Sequence, residues 1–418
     1  MAKPNLLIVG AGGVGQVTAN KAVQFRQDFG TITLAARNLE KLRRIAGEIG
    51  ERWGASGSGS LLSVRSVDAR NLDAMTALID ELDIDLLLNV ASSYCNATLL
   101  NASLKTGATY LDTALAEEEF VENIDPDWYR IVEWPLRPKF AEKKLSAFLG
   151  MGFDPGVVNI FCAYARKHLL DEIDTIDIID VNAGNHGRYF ATNFDADINL
   201  REIKEDVQTW EGGRWKTIPR HSEWMDVSLP DVGRHRVYSM GHDELHSLSA
   251  NFPGTERITF WMGFGEHYLK VFDVLDNLGL TSSIPIEVDG VMVAPNRLVK
   301  ALLPDPASLA KGYTGKICIG TDLRGRKDGE AKRVFLWSNC DHEDNYREVG
   351  SQSISYSTGV PVMTAARLIA DGTWNPQTMV NVEELDPDPF MALMPEVGID
   401  WQMQELPLDG SWPFPAEV

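Results

Sequence analysis

Cysteine is scarce and scattered in this 418-residue chain: Cys95, Cys162, Cys318 and Cys340 stand far apart and form no C-x-x-C pair. That spacing argues against a zinc site, so no metal is expected, and it suits reduced thiols in a cytoplasmic protein. Long hydrophobic runs are also missing. No apolar stretch approaches the roughly 20 residues needed to cross a bilayer, so no membrane partner is expected. The opening "MAKPNLLIVG" has a short apolar run but no small-residue cleavage site, and reads as a buried strand rather than a signal peptide. Basic residues are outnumbered, 39 against 60 acidic, for a net charge of −21. Such a field repels a phosphate polymer and disfavours nucleic-acid binding, whereas it draws in a small cation such as a diamine. Solubility alone is the plainer reading of the charge. No internal repeat is visible.

What is present points to two domains, because 418 residues exceed what one core usually organises. Over the first 150 residues or so, apolar strand candidates (5–9, 31–36, 61–67, 85–90 and 109–112) alternate with amphipathic helices (15–25, 38–53, 71–82 and 97–106). This rhythm predicts a parallel sheet covered on both faces. The Gly/Ser-rich 54–60 reads as a loop inside that domain. From about residue 172 the texture changes to two-periodic runs such as "EIDTIDIIDVNAG", "RITFWMGF" and "KRVFLWSN", which suit an antiparallel sheet with hairpins. Helix returns at 361–372, with Pro361 near its start and Gly372 past its end.

The chemistry begins at "NLLIVGAGGVG", where Gly10, Gly12 and Gly15 fall in the spacing G-x-G-x-x-G between a strand and a helix. In that context Gly10 permits the tight turn, Gly12 lets backbone approach a pyrophosphate, and Gly15 lets helix pack on strand. Gly13 and Val14 then open a helix whose N–H groups face the anion. A carboxylate is expected at the end of the second strand if the cofactor is NAD; "LAARNLEKL" has Arg37 instead. An arginine there suits the 2′-phosphate of NADP, although Arg37 also reads as a plain surface cation, and Lys41 or Arg44 could share its role. Asp68 ends the third strand and is placed near adenine; the stretch from Asn89 through Ala91 and Ser92 to Ser93 ends the fourth and is placed near the nicotinamide ribose. Loop capping is the bland alternative for both. "GMGFDPGVVN" would set Asp154 and the bare backbone at Gly156 beside the nicotinamide, and a plain strand-to-helix turn explains it as well.

"GMGFDPGVVNIFCAYARKH", "VNAGNHGRYFATNFDADINLREI", "CDHEDNYREVGSQSISYSTGVPVM" and "EELDPDPFM" together resemble the carboxynorspermidine (carboxyspermidine) dehydrogenases of the saccharopine reductase-like superfamily. The resemblance covers essentially the whole chain. It implies an α/β fold: a Rossmann NADP-binding domain over 1–170, an inserted α+β substrate-binding and dimerisation domain over 171–346, and a C-terminal helical segment, 347–418, returning to the Rossmann domain. It further implies a cytoplasmic homodimer that uses NADPH to join L-aspartate 4-semialdehyde and 1,3-diaminopropane or putrescine by reducing their imine.

Residue by residue, the resemblance makes Arg201 in "INLREI" the candidate for the substrate α-carboxylate, which a guanidinium holds well in a bidentate pair; a structural salt bridge is the other reading. Asn193 and Ser93 are further candidate substrate contacts. Asp112 and Thr113 in "YLDTALAE" align with the segment bordering cofactor and substrate. For the diamine's distal ammonium, Asp154, Asp195 and Glu202 are all available. His186 in "NAGNHGRY" is a candidate acid/base, with Asp154 beside it in the catalytic set, because histidine titrates near neutral pH; a structural histidine is the alternative. The acidic run 117–119 reads as a solvated helix start. Other readings are a saccharopine reductase acting on a different semialdehyde, a homospermidine synthase-like enzyme, and a non-enzymatic nucleotide-binding regulator. The last of these has no need of Arg201.

Overall fold

The computed structural model describes residues 3–54, 61–116 and 132–417. The loop reading of 55–60 and the helix reading of 117–119 lie outside them. The chain divides into two compact units.

The first unit takes in residues up to 163 together with 355–399. Its early strands are β1 (Leu6–Val9), β2 (Ile32–Ala36), β3 (Ser63–Ser66), β4 (Leu86–Asn89), β5 (Thr109–Asp112) and β6 (Ala147–Leu149). With the late strand Met379–Asn381 they make a seven-stranded sheet in the order Met379–Asn381, β6, β5, β4, β1, β2, β3. All its pairs are parallel, with Ile8 opposite Leu34 on one side and Leu88 on the other. Four helices, α1 (Gly13–Gln24), α2 (Leu39–Arg52), α3 (Leu72–Glu81) and α4 (Asn96–Thr106), follow the first four strands. Leu7, Val9 and Leu87 pack in one core with Met75, Leu78, Leu99 and Leu100. Leu6 and Ile8, on the other sheet face by alternation, are equally buried, so both faces are covered. The expected helix limits fall one residue outside α2 and α3, because Asn38 and Asn71 are N-caps whose side chains accept from Lys41 N–H and Ala74 N–H.

The second unit takes in 164–354 and 400–417. Its strands begin with β7 (Glu172–Asn182), β8 (Val207–Glu211), β9 (Arg214–Ile218), β10 (Trp224–Leu229), β11 (Gly233–Met240) and β12 (Arg257–Gly263). They continue with a small separate hairpin, β13 (Ile286–Val288) and β14 (Val291–Val293), and the long β15 (Lys316–Lys327) and β16 (Glu330–Asp341). The large sheet runs β10, β11, β12, β7, β15, β16 and the strand Gln402–Glu405, with the β8–β9 hairpin joined to β12. Its pairs are antiparallel except β7 with β12. Asp328 and Gly329, both with positive φ, close the β15–β16 hairpin, the two-residue turn that matches strand twist. One face carries an apolar core of Ile179, Val181, Val237, Trp261, Cys318, Phe335 and Trp337.

Three expectations need correction. Residues 400–417 do not return to the first unit with the rest of 347–418: Gln402–Glu405 is a strand paired with β16. The boundaries at 170 and 346 fall instead at 163 and 354. The helix expected from 361 runs over Ser353–Ala370, with Pro361 inside it. Serines recur at 353, 355 and 357 in its first turns, and Gly359 lies against α1, where a Cβ would come within 2.6 Å of Val17.

Candidate functional site

In the first unit the glycine turn forms a cradle at the carboxyl end of β1. Gly10 has φ +121°, and a Cβ there would lie 2.5 Å from the Val90 carbonyl oxygen, so only glycine lets the chain turn against the end of β4. Gly15 touches Gly10 in the same way, its absent Cβ falling 2.0 Å from the Gly10 oxygen, which brings α1 down onto the turn. Gly12 is different: a Cβ there would meet nothing within 4 Å. It is the N-cap of α1, and no side chain caps that helix end. An open approach over a bare glycine, leading to uncapped helix N–H groups, fits a pyrophosphate. Gly13 packs against Ser355, and Val14 and Gly15 complete the first turn.

Arg37 follows β2 on the surface, its carbonyl accepting from the Ser66 hydroxyl at 2.9 Å. Burial raises the Cys95 thiol pKa, while Arg70 and Arg37 pull it down and Asp68 raises it. These influences gather Arg37, Asp68, Arg70 and Cys95 around the ends of β2, β3 and β4. The Arg70 N–H donates to Asp68 Oδ1 at 3.1 Å. Arg70 is the residue the sequence reading missed. Two guanidiniums therefore act on the Cys95 thiol after β4, and a guanidinium is suited to pairing with a phosphate.

The ends of β4 and β5 are tied by a buried network. Asn89 Nδ2 donates to Asn96 Oδ1 (2.7 Å) and to the Tyr110 hydroxyl (2.9 Å). Asn96 Nδ2 in turn donates to the Ala114 carbonyl (2.7 Å), Glu133 Oε1 (3.2 Å) and Asp112 Oδ2 (3.3 Å). The other Asp112 oxygen accepts from Gly150 N–H at 2.7 Å. Asp112 therefore braces the backbone instead of presenting its carboxylate outward. Ala91 N–H donates to Asn89 Oδ1. Ser92 precedes the short turn Ser93–Cys95 without a side-chain capping bond, and Ser93 is 5 % exposed, buried in that turn. Thr113 lies against Gly152, its carbonyl oxygen 3.1 Å from where a Cβ would be.

The expected turn at "GFDPG" is closed on itself: Gly152 N–H donates to the Pro155 carbonyl (2.8 Å) and Gly156 N–H to Asn159 Oδ1 (2.9 Å). Gly156 has φ +138°, and a Cβ there would strike the Gly152 oxygen at 2.1 Å. Asp154, half-buried at the tip, precedes Pro155 through a cis peptide bond.

In the second unit a polar cluster forms where β7 ends. Asn182 Nδ2 donates to the Tyr313 hydroxyl (2.8 Å), which donates to Asn193 Oδ1 (3.0 Å); Gln352 Nε2 donates to the Asn193 carbonyl (2.7 Å). His342 stacks on the Tyr313 ring with centroids 3.6 Å apart. Its Nδ1 accepts from Ser353 N–H, so its Nε2 carries the proton and donates to Asn182 Oδ1 at 3.2 Å. Burial pushes His342 down to about 3, Asp341 opposing, which leaves it neutral. His186 meets the edge of the same tyrosine at 5.3 Å, and its Nδ1 accepts from Arg188 N–H at 3.1 Å. Burial lowers its pKa too. Gly184 makes room for all of this, since a Cβ would lie 2.6 Å from His342 Nε2.

Of the expected residues, His186 and Asn193 are brought together here. Tyr313, His342 and Asn182 join them unforeseen. Arg201 sits on the helix Ala196–Lys204, mostly buried, with Nε 3.7 Å from Glu205 Oε1. Asp195 is not an available anion: its carboxylate accepts from Asp197 N–H and pairs with Lys300 at 2.9 Å. Glu202 lies close enough to Tyr268 to raise its hydroxyl pKa, after the larger effect of burial.

Two family models match the chain. The family model described as saccharopine dehydrogenase NADP binding domain matches residues 6–147, and the saccharopine dehydrogenase C-terminal domain matches 152–399. Carboxynorspermidine synthase from Vibrio alginolyticus is 46% identical over 406 residues, covering 96% of this chain and 97% of that protein. Carboxyaminopropylagmatine dehydrogenase from Synechocystis is 41% identical, covering 98% and 99%. Apo saccharopine dehydrogenase (L-Glu forming) from Saccharomyces cerevisiae shares the fold, with TM-score 0.70 at 13% identity over 97% of this chain and 100% of that one.

Proposed function

We propose, on the premise that this chain belongs to the saccharopine dehydrogenase family and is an NADP-dependent oxidoreductase of polyamine biosynthesis, that it joins L-aspartate 4-semialdehyde to 1,3-diaminopropane or putrescine. The product is carboxynorspermidine or carboxyspermidine. The observation that carries the reading is the near full-length match to two carboxynorspermidine synthases, at 46% and 43% identity. A second reading, in which the amine ends in a guanidinium as in agmatine, is supported by the relative named carboxyaminopropylagmatine dehydrogenase.

The amine condenses with the aldehyde, losing water to give a C=N bond. Bound NADPH supplies a hydride to that carbon. The cradle at Gly10, Gly12, Gly13, Val14 and Gly15 holds the pyrophosphate, and Arg37 with Arg70 holds the 2′-phosphate. Asp68 borders the adenosine, and Ala91, Ser92, Thr113 and the turn at Asp154 and Gly156 border the nicotinamide ribose. Asp112 acts through the backbone it braces. In the second unit, Arg201 takes the substrate α-carboxylate, Asn193 is held by Tyr313 as a second polar contact, and His186 moves protons through Nε2. Nδ1 of His186 accepts a backbone N–H, so the neutral ring carries its proton on Nε2. Ser93, buried in the turn after β4, is the remaining candidate polar contact of the substrate.

The second unit also carries the proposed homodimer contact. The β13–β14 hairpin and the helix after it expose Ile286, Val291, Met292, Leu298 and Leu302. A two-stranded ribbon is marginal in water without cover, and a second copy supplies it.

The test is purified protein mixed with NADPH, aspartate semialdehyde and each amine in turn. Loss of reduced nicotinamide with a diamine supports the reading; loss with agmatine alone moves it to the second; no loss with any amine refutes both.

A further inference from the structure

Resting on the reductive condensation above, we propose that Asp180, His242 and Glu244 form the subsite for the distal cationic head of the amine substrate. Asp180 lies near the end of β7, on the face opposite the core residues Ile179 and Val181. Its Oδ1 is buried and has no hydrogen-bond partner among the described residues. His242 stacks on Phe260 of β12 at 4.0 Å, Phe260 pairs with Ile178, two residues before Asp180 on β7, and His242 Nδ1 lies 2.5 Å from Glu244 Oε2. Glu244 has no exposed surface, yet its Oε1 also lacks a partner.

Two buried carboxylate oxygens are thus left with acceptor capacity unfilled, and one imidazole is the opposing charge. Burial is the chief reason that the Asp180 carboxyl is raised to about 7, with His242 opposing and Glu244 adding to the rise. An uncompensated buried carboxylate is costly, and a bound ammonium or guanidinium supplies N–H donors to both oxygens along with the missing charge. Asp180 and His242 are both partly exposed as residues.

Position along the strand supports the assignment. Asn182, on the same face two residues on, belongs to the cluster with Tyr313 and His342. Two residues of strand span about 7 Å, the scale of the short methylene chain between the nitrogens of a diamine. The same charges repel an amine donor that carries its own carboxylate, such as glutamate, and so contribute to selectivity by repulsion.

The experiment compares Asp180→Asn and Glu244→Gln with wild type in the full-length enzyme, using diaminopropane and propylamine, which lacks the distal nitrogen. Each variant is expected to raise KM for the diamine about tenfold or more, as loss of a charge-assisted hydrogen bond does, with KM for NADPH and semialdehyde nearly unchanged. The wild-type preference for diaminopropane over propylamine should collapse by a similar factor. An unchanged preference in the variants overturns the subsite. If Glu244→Gln does not fold, judged by its thermal melt, the part-exposed Asp180→Asn decides. A wild-type enzyme that oxidises NADPH with no amine refutes the underlying reaction; one that uses both amines equally refutes the subsite alone.

Discussion

A methyl group added to Gly12 and one added to Gly15 would meet opposite surroundings, open space at the first and a carbonyl oxygen 2.0 Å away at the second. Gly12→Ala should therefore keep its stability within about 1 kcal/mol while weakening NADPH binding about tenfold or more, because the methyl group occupies the approach to the pyrophosphate. Gly15→Ala should lose about 1–3 kcal/mol of stability, the range of overpacking, with the loss visible in a thermal melt. Arg37→Ala should raise KM for NADPH roughly 10- to 100-fold and leave KM for NADH nearly unchanged, since only the phosphate loses a charge-assisted bond. Equal effects on both cofactors would assign the phosphate to Arg70. His342 gives a pH signature. Its folded pKa lies near 3, below the usual histidine value, so the unfolded chain binds more protons between there and about pH 6.5. Stability must then fall as pH drops through that window, by on the order of 1–4 kcal/mol, and His342→Gln should flatten that part of the curve in urea titrations. Asp180 has the opposite sign: with its folded pKa near 7, the folded state holds a proton that the unfolded chain has lost, so its contribution declines as pH rises from about 4 to 7.

At the scale of elements, the nucleotide-binding half was legible because its signals are local. Alternating periods of two and 3.6, asparagine caps at 38 and 71, and glycines at fixed spacing each act over a few residues. The second unit's cluster was not legible for the converse reason. Asn182, Tyr313 and His342 lie on three separate segments, and only the β7–β15–β16 register brings them together. Tyr313 sits between two glycines in "KGYTGK", where no periodicity marks it. Pro361 misled because proline favours a helix's first turn, whereas here the helix has already begun at Ser353. The network at the ends of β4 and β5 makes a testable unit. Asn96→Ala would strip partners from Asn89, Asp112 and Glu133 together, and should cost about 2–4 kcal/mol, more than the loss of a single bond.

For the whole molecule, the net charge of −21 takes on a local meaning if the amine site is as proposed, since the general field and the Asp180–Glu244 pair attract the same ligand. Raised salt should then increase KM for the diamine more than KM for NADPH, because surface steering is screened. The exposed apolar face around Val291 and Leu298 predicts that Val291→Glu together with Leu298→Glu converts a dimer to a monomer in light scattering. The central claim is transfer of hydride to an imine carbon, and labelled cofactor tests it most directly. Incubation with aspartate semialdehyde, a diamine and NADPH carrying deuterium at its hydride position should give carboxynorspermidine or carboxyspermidine with one deuterium on the carbon of the new C–N bond, read by mass spectrometry. Absence of the deuterated secondary amine, with folded protein and all reactants present, would contradict the account.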